Sequence, residues 1–284
     1  MKIPRYWANE TAVHRAPGGK AYRLSIWRWS DASLAEARSA ARQRLDEIAR
    51  RLAAGQDLDV YGYGERPLRE EMVQTVPAGS GDPAAVITRN AYGALVLNAA
   101  RVLFADIDFA EGDPAEARPG LLGGLFGGKP SSPEQRALDK VEAWTRAHPD
   151  WSLRAYRTRA GLRLLATHTV FDPAADATRR WLAELGSDPL YIRLCRDQAC
   201  FRARLTPKPW RCGLRPPPAR YPWETPQAEA LVRRWEQTYE ATARRFGVCR
   251  LLREFGGRAV HPEAAQVIDL HDRHACQDDR LPLA

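Results

Sequence analysis

The most apolar stretch of the chain, residues 92–109 (YGALVLNAARVLFADIDF), constrains the fold more than any other segment. Asn98 and Arg101 interrupt it and two carboxylates end it, so it cannot cross a bilayer as a helix. Short apolar runs separated by polar residues are typical of strands in a buried sheet. We therefore predict two neighbouring strands, one over residues 84–98 and one over residues 101–109.

The remaining patterns predict an α+β fold. Strands are predicted at residues 21–29, 151–159, 161–171, 189–195 and 201–207, and helices at residues 33–55, 132–148, 172–186, 224–247 and 261–275. Strands and helices do not alternate strictly, which favours a mixed or antiparallel central sheet flanked by helices. The predicted organisation has three units: an N-terminal α/β unit (1–83), a central unit (84–215) and a helical C-terminal tail (216–284).

Composition indicates the compartment and the class of partner. The chain has 284 residues, a formal charge of +8 and far more arginine than lysine. Guanidinium groups bind phosphate oxygens in a bidentate way, which favours phosphate-bearing partners, although GC-rich coding explains the arginines equally well. Five cysteines, an odd number, suit a reduced compartment better than a disulfide scaffold. The N-terminal residues contain no apolar signal segment, so we predict a cytoplasmic protein without a membrane partner.

An acidic pair, Asp106 and Asp108, ends the second predicted strand. Because strand side chains alternate between faces, both carboxylates lie on one face and Ile107 points toward the core. Like charges this close repel each other unless a cation lies between them. Mg²⁺ and Mn²⁺ take carboxylate and phosphate oxygens together, which is the chemistry of nucleotidyl transfer. A solvated turn after an edge strand is the alternative interpretation, since an isolated Asp-x-Asp is common.

Three segments together are similar to the motifs of a known superfamily. They are VLFADIDF (102–109), YRTRAGLRLLAT (156–167), and a segment that begins at Asp188 and continues through a basic stretch to Lys208. In order and approximate spacing they resemble the motifs of archaeo-eukaryotic primases and their primase-polymerase relatives, with this chain as a divergent bacterial-type member. The resemblance implies an RRM-like sheet and a metal-dependent nucleotidyltransferase of DNA replication, which binds nucleotide triphosphate, nucleic acid or both.

The resemblance also implies roles for individual residues. Three aspartates would be catalytic and would hold Mg²⁺ or Mn²⁺: Asp106, Asp108 and Asp188. Five residues would bind phosphate or nucleic acid: Thr158, Arg163, Arg202, Arg204 and Lys208. Arg163 stands where the family has a histidine, and arginine can bind a phosphate but cannot exchange a proton at neutral pH. This departure leaves two alternatives open: a non-catalytic nucleic-acid-binding module, and a metal-dependent nuclease or phosphohydrolase.

Cysteines and histidines offer further metal ligands. Three cysteines within eighteen residues could hold Zn²⁺, with Cys249 or a tail histidine as the fourth ligand: Cys195, Cys200 and Cys212. Simple packing of these thiols is the alternative. The C-terminal segment also carries metal-binding side chains, but a solvated helix is the favoured interpretation of His261, His271, His274 and Cys276.

Two weaker signals lie in a glycine-rich loop and in a basic stretch. Gly123, Gly128 and Lys129 have the spacing of a P-loop, but Pro130 replaces the magnesium-binding Ser or Thr. We therefore predict no nucleotide cradle there. Trp210 could stack on a base, although core packing explains most of the nine tryptophans.

Overall fold

The structure, a computed structural model, describes residues 1–15, 21–56, 67–79, 81–109, 131–276 and 278–284. These residues form ten strands and six α-helices. In chain order the elements are β1 (Tyr6–Arg15), β2 (Ala21–Ser30), α1 (Leu34–Ala53), β3 (Glu71–Val76), β4 (Ala85–Arg89), β5 (Leu95–Ala99), β6 (Phe104–Asp108), α2 (Pro133–Ala147), β7 (Ser152–Thr158), β8 (Gly161–Ala166), α3 (Asp176–Glu184), α4 (Pro189–Gln198), β9 (Phe201–Arg204), α5 (Pro226–Ala243), β10 (Cys249–Gly256) and α6 (Pro262–Ala275). A short 3-10 helix covers Pro209–Cys212. The P-loop-like glycines lie outside the described residues.

The strands form a separate two-stranded hairpin and two four-stranded sheets. β1 pairs with β2, and α1 packs against both strands. The first sheet has the order β10-β7-β8-β6 and the second has the order β3-β4-β5-β9. Every strand pairing within these sheets is antiparallel. The predicted α+β fold with antiparallel sheets is therefore confirmed, whereas its primase-polymerase type and the unit boundaries stay predictions.

The edge strands β6 and β9 bring the two sheets together, and we call their junction the seam. Tyr191, in the first turn of α4, places its hydroxyl 3.0 Å from the carbonyl oxygen of Phe104 and 3.2 Å from that of Arg202. The same hydroxyl accepts a hydrogen bond from the Arg202 N–H at 3.3 Å. Arg163 of β8 crosses the seam as well, because its Nη1 donates to the carbonyl oxygen of Arg204 at 3.0 Å.

One apolar core continues through both sheets. Phe104, Leu153 and Leu164 of the first sheet belong to the same buried cluster as Leu97 and Phe201 of the second. Burying a side chain of this size stabilises the fold by about 1.5–3 kcal/mol. All six residues of β8 are buried, so this strand lies in the interior of the first sheet. The polar end of β6 is therefore held against a well-packed framework.

The segment predicted as one strand over residues 84–98 is a hairpin, formed by β4 and β5. Asn90 holds the turn, since its Oδ1 accepts hydrogen bonds from the N–H groups of Tyr92 at 3.2 Å and Ala94 at 3.1 Å. Gly93 has a φ of +90°, a conformation that glycine adopts without a steric penalty. Asn90 and Gly93 were the turn signals within this otherwise apolar run.

The predicted strand over residues 189–195 is wrong, because this segment begins α4. Asp188 is the N-cap of the helix, and its Oδ1 accepts a hydrogen bond from the N–H of Tyr191 at 2.8 Å. Pro189 follows at the first helical position, where its missing N–H costs nothing. These two helix-start signals outweigh the apolar, strand-like content of the segment.

Three strands occur where none was predicted. β1 pairs with the predicted strand β2, β3 pairs with β4, and β10 lies within the predicted helical tail. β10 pairs with β7 and completes the first sheet, so the C-terminal segment is not purely helical. Among the residues that the structure describes, no helix is both long and apolar enough to cross a membrane.

Candidate metal and phosphate site

Two aspartates end β6 at the edge of the first sheet. In the register with β8, Asp106 lies opposite Arg163 and Asp108 lies opposite Gly161. Asp106 is half-buried and Asp108 is exposed, whereas Ala105 before them is fully buried. Because the strand is regular here, both carboxylates lie on the same face, as the sequence predicts.

Asp188 joins this pair from a distant part of the chain. Its backbone N–H donates to the carbonyl oxygen of Asp106 at 3.1 Å. Ser187 adds a second link, because its hydroxyl lies 3.1 Å from both the backbone nitrogen and the carbonyl oxygen of Asp106. The start of α4 is thus attached to β6, and the three aspartates singled out in the sequence lie in one region.

These carboxylates influence one another electrostatically. Partial burial raises the pKa of Asp108, and the charges of Asp106 and Asp188 raise it further, whereas Lys208 and Arg211 lower it. The oxygens of the three carboxylates do not all lie within 4.8 Å of one another. The aspartates therefore form an open acidic site and not a closed metal cage.

Gly161 allows β8 to approach β6 beside Asp108. A Cβ atom at this position would lie 1.9 Å from the carbonyl oxygen of Ile107, far inside the contact distance of real Cβ atoms. Any other residue would push the two strands apart and shift Asp108. Steric crowding therefore explains why the second motif has a glycine at this position.

Two basic side chains face the aspartates from the segment after β9. Lys208 precedes the 3-10 helix and Arg211 lies within it. Partial burial lowers the pKa of Lys208, and the neighbouring charges of Arg204 and Arg211 lower it further, while Asp108 opposes this effect. Sequence analysis did not assign a role to Arg211, although its position three residues after Lys208 was an available signal.

A partly exposed aromatic pair adjoins these cations. Trp210 is 51% exposed, and its ring centroid lies 5.6 Å from the Nζ of Lys208. Tyr92, from the turn between β4 and β5, packs edge-on against Trp210 at a centroid distance of 5.3 Å. Exposed aromatic faces beside basic groups are typical of surfaces that bind unpaired bases by stacking.

Arg163, which the sequence predicts to bind a phosphate, is buried at 3% exposure. Its Nη1 donates to the carbonyl oxygen of Arg204 at 3.0 Å and to the Nε2 of His271 at 3.2 Å. Its Nε lies 3.8 Å from the Oδ1 of Asp106. The guanidinium is thus occupied by protein groups and does not reach a phosphate in this conformation. The predicted phosphate-binding role of Arg163 is corrected accordingly: its guanidinium lies beside the carboxylate of Asp106 on the buried side.

The other predicted phosphate ligands differ in their availability. Arg202 makes a two-pronged ion pair with Glu70, at 2.8 and 3.0 Å, and Thr158 is buried at the end of β7. Neither is free to bind a phosphate here, which corrects the prediction. Arg204 is half-buried, and its Nε has no hydrogen-bond partner among the described residues. Arg204 and Lys208 therefore remain as candidate phosphate ligands.

The predicted zinc ligands Cys195, Cys200 and Cys212 do not come together. Cys195 and Cys200 are fully buried, and burial raises the pKa of Cys195 to about 12 and that of Cys200 to about 11. Their ligand atoms do not converge with that of Cys212. Packing therefore accounts better for these thiols.

A different set of side chains could hold a metal ion: Cys249, His271 and Cys276, whose ligand atoms all lie within 4.8 Å of one another. Cys249 begins β10, His271 lies in α6 and Cys276 is the C-cap of α6. His271 is fully buried, so the interpretation of its helix as solvated is wrong on this face. Sequence analysis missed the grouping because it did not predict β10, which carries Cys249 to the helix.

The chain was compared with protein-family models, with curated proteins and with solved structures. None of them matches it. The resemblance to primase-polymerases therefore rests on the three motifs, and a functional proposal has to rest on the site itself.

Proposed function

We propose that this chain binds Mg²⁺ or Mn²⁺ through Asp106, Asp108 and Asp188 and transfers nucleotidyl groups, as a divergent relative of primase-polymerases. One observation carries the proposal. The N–H of Asp188 is bonded to the carbonyl oxygen of Asp106 and its charge acts on Asp108, so a residue far along the sequence lies beside the acidic pair. Three neighbouring carboxylates repel one another in the absence of a cation, and the N-cap role of Asp188 accounts for only one of them.

The open arrangement of the aspartates fits Mg²⁺ or Mn²⁺ better than it fits a metal with a closed ligand shell. Mg²⁺ usually keeps several water molecules and is bound by one or two carboxylates together with substrate phosphates. Asp106 has little freedom to move, since Arg163 lies behind it and Ser187 binds its backbone. Asp108 is exposed and can turn toward a bound ion.

Lys208, Arg204 and Arg211 would bind the phosphates. The charge of Lys208 acts on Asp106 and Asp108, that of Arg211 acts on Asp108, and Arg204 is a neighbour of both cations. In nucleotidyl transfer a 3′-hydroxyl attacks the α-phosphorus, pyrophosphate leaves and the hydroxyl proton passes to solvent. Cations that are fixed in place stabilise the charge that develops on the phosphate oxygens. A bound divalent ion would add to this charge and lower the pKa of the attacking hydroxyl.

The neighbouring aromatic pair suggests which substrates fit. Trp210 and Tyr92 adjoin Lys208 and could stack on a base whose phosphate is held by the cations. A nucleotide or a single strand of nucleic acid combines both features. This reasoning extends the proposal to nucleotide triphosphates and single-stranded nucleic acid as ligands.

The test is incubation with Mn²⁺, labelled nucleotides and a primed template. Extension of the primer supports the proposal, provided that Asp106→Asn abolishes it and Asp31→Asn, at an exposed aspartate outside the site, leaves it unchanged. Shortening of the template would assign a nuclease instead. Salt-sensitive binding without turnover would assign a nucleic-acid-binding module that lacks catalysis.

A further inference from the structure

A second cluster lies behind the acidic site, where β10 and α6 meet. The Sγ atoms of Cys249 and Cys276 are 3.3 Å apart, and the Nε2 of His271 lies 3.7 Å from the Sγ of Cys249. Cys249 is 3% exposed and His271 is fully buried. Two thiols and one imidazole thus point at a common place within the protein.

The other side of the imidazole is held by a chain of ion pairs. The Nδ1 of His271 lies 2.8 Å from the Oδ1 of Asp272, and the Oδ2 of Asp272 lies 2.8 Å from the Nη1 of Arg154. The Nε of Arg154 donates to the Oε1 of Glu254 at 3.0 Å. Nδ1 carries the proton because a carboxylate can only accept, and Nε2 keeps a lone pair because the guanidinium of Arg163, which can only donate, points its Nη1 at it. Carboxylate–histidine pairs of this kind orient the histidine ligands of metal sites.

Neither a catalytic triad nor apolar packing accounts well for this cluster. A nucleophilic Cys–His–Asp triad needs access for a substrate, and the burial of Cys249 and His271 denies it. Apolar packing does not account for two sulfur atoms and a ring nitrogen that converge beside the guanidinium of Arg163. The rings of Phe104 and Tyr156 pack on His271 at centroid distances of 5.4 and 4.9 Å, which fixes the imidazole further.

We infer that Cys249, His271 and Cys276 bind one zinc ion. Thiolate and imidazole are the ligands that Zn²⁺ prefers, and a set of hard oxygen ligands for Mg²⁺ is absent from this cluster within the described residues. These side chains supply three of the four ligands of a tetrahedral site. The two thiols bind as thiolates, so their protons pass to solvent when the metal binds.

The zinc ion would fasten the C-terminal helix to the sheet that carries the acidic pair. It joins Cys249 of β10 to His271 and Cys276 of α6, and Arg163 connects His271 with Asp106. In the structure the Nη1 of Arg163 occupies the lone pair of Nε2. When zinc binds, this contact is replaced, while the bond of Arg163 to the Arg204 carbonyl can remain. The inference does not depend on nucleotidyl transfer.

The zinc content of the purified full-length chain, measured by inductively coupled plasma mass spectrometry, tests the inference. We expect one zinc ion per chain in the wild type and a loss of at least tenfold in Cys249→Ser, His271→Gln and Cys276→Ser. Cys212→Ser is the matched control, since Cys212 is a half-exposed thiol outside the cluster, and it should retain the metal.

A second measurement covers the case in which the variants do not fold. Metal-free wild-type protein is titrated with Co²⁺, and the thiolate charge-transfer and tetrahedral d–d absorption bands should appear with a one-to-one end point and disappear when Zn²⁺ is added. Wild-type protein that neither contains zinc nor develops these bands overturns the inference. A disulfide between Cys249 and Cys276, found by non-reducing peptide mapping of protein prepared under reducing conditions, would also overturn it.

Discussion

Replacing Tyr191 with phenylalanine tests how the seam holds the acidic site in place. The substitution removes a hydroxyl that lies between the Phe104 carbonyl in β6 and the backbone of Arg202 in β9. A buried backbone group that loses its partner costs about 1–3 kcal/mol. The hydroxyl has a single proton, so it donates one bond and accepts one bond at a time. We therefore expect Tyr191→Phe to lower the free energy of unfolding by about 2–3 kcal/mol.

Urea denaturation followed by circular dichroism, with linear extrapolation to water, measures this change. Tyr221→Phe is the matched control, because the Tyr221 hydroxyl donates a long bond of 3.4 Å to the Arg5 carbonyl at an exposed position. The control should change the free energy of unfolding by less than about 0.5 kcal/mol. If the Tyr191 variant loses no more than the control, the hydroxyl does not join the two sheets and the reasoning is refuted.

Three further predictions concern single residues of the site. Gly161→Ala should destabilise the fold by about 1–3 kcal/mol in urea denaturation, because the added Cβ would clash with the Ile107 carbonyl. The control Gly79→Ala, with open space around the added Cβ, should be nearly neutral, and equal effects of the two substitutions would contradict the close approach of β8 and β6. Arg163→Ala should cost about 1–3 kcal/mol of stability because it leaves buried acceptors unsatisfied, and a variant that binds nucleotide more weakly at unchanged stability would restore a phosphate-binding role. Without metal, Asp108→Asn should raise the thermal midpoint at neutral pH, because folding raises the pKa of this carboxyl and so disfavours its ionised form. This gain should vanish as the pH falls below about 4, where the unfolded carboxyl is protonated too, and a gain that is constant with pH would contradict the assignment.

Local patterns were sufficient for much of the first sheet. Alternation and apolar runs predicted the hairpin of β7 and β8 and the strand that carries Asp106 and Asp108, because each of these features depends on neighbouring residues. The same local patterns predicted a strand where α4 lies, because its apolar residues are typical of a strand although Asp188 and Pro189 start a helix.

The use of the basic residues could not be predicted from local patterns. Arg202 is occupied by Glu70, and Arg163 is buried against His271, partners that are distant in the sequence. The alternation of side chains along a strand predicts the same exposure for every arginine on one face of the sheet. Which cations remain available for a phosphate depends on tertiary contacts, and the structure leaves Arg204 and Lys208, which were predicted, and Arg211, which was not.

Mn²⁺ binding to wild type and to Asp188→Asn, measured by isothermal titration calorimetry, tests the central claim most directly. Asparagine is as good an N-cap as aspartate, so α4 and its attachment to β6 should survive while one ligand charge is lost. We expect saturable binding to the wild type, binding at least tenfold weaker for Asp188→Asn, and unchanged binding for the exposed control Asp31→Asn. Equal affinity of the wild type and the Asp188 variant, or no binding to either, would contradict a metal site shared by Asp106, Asp108 and Asp188.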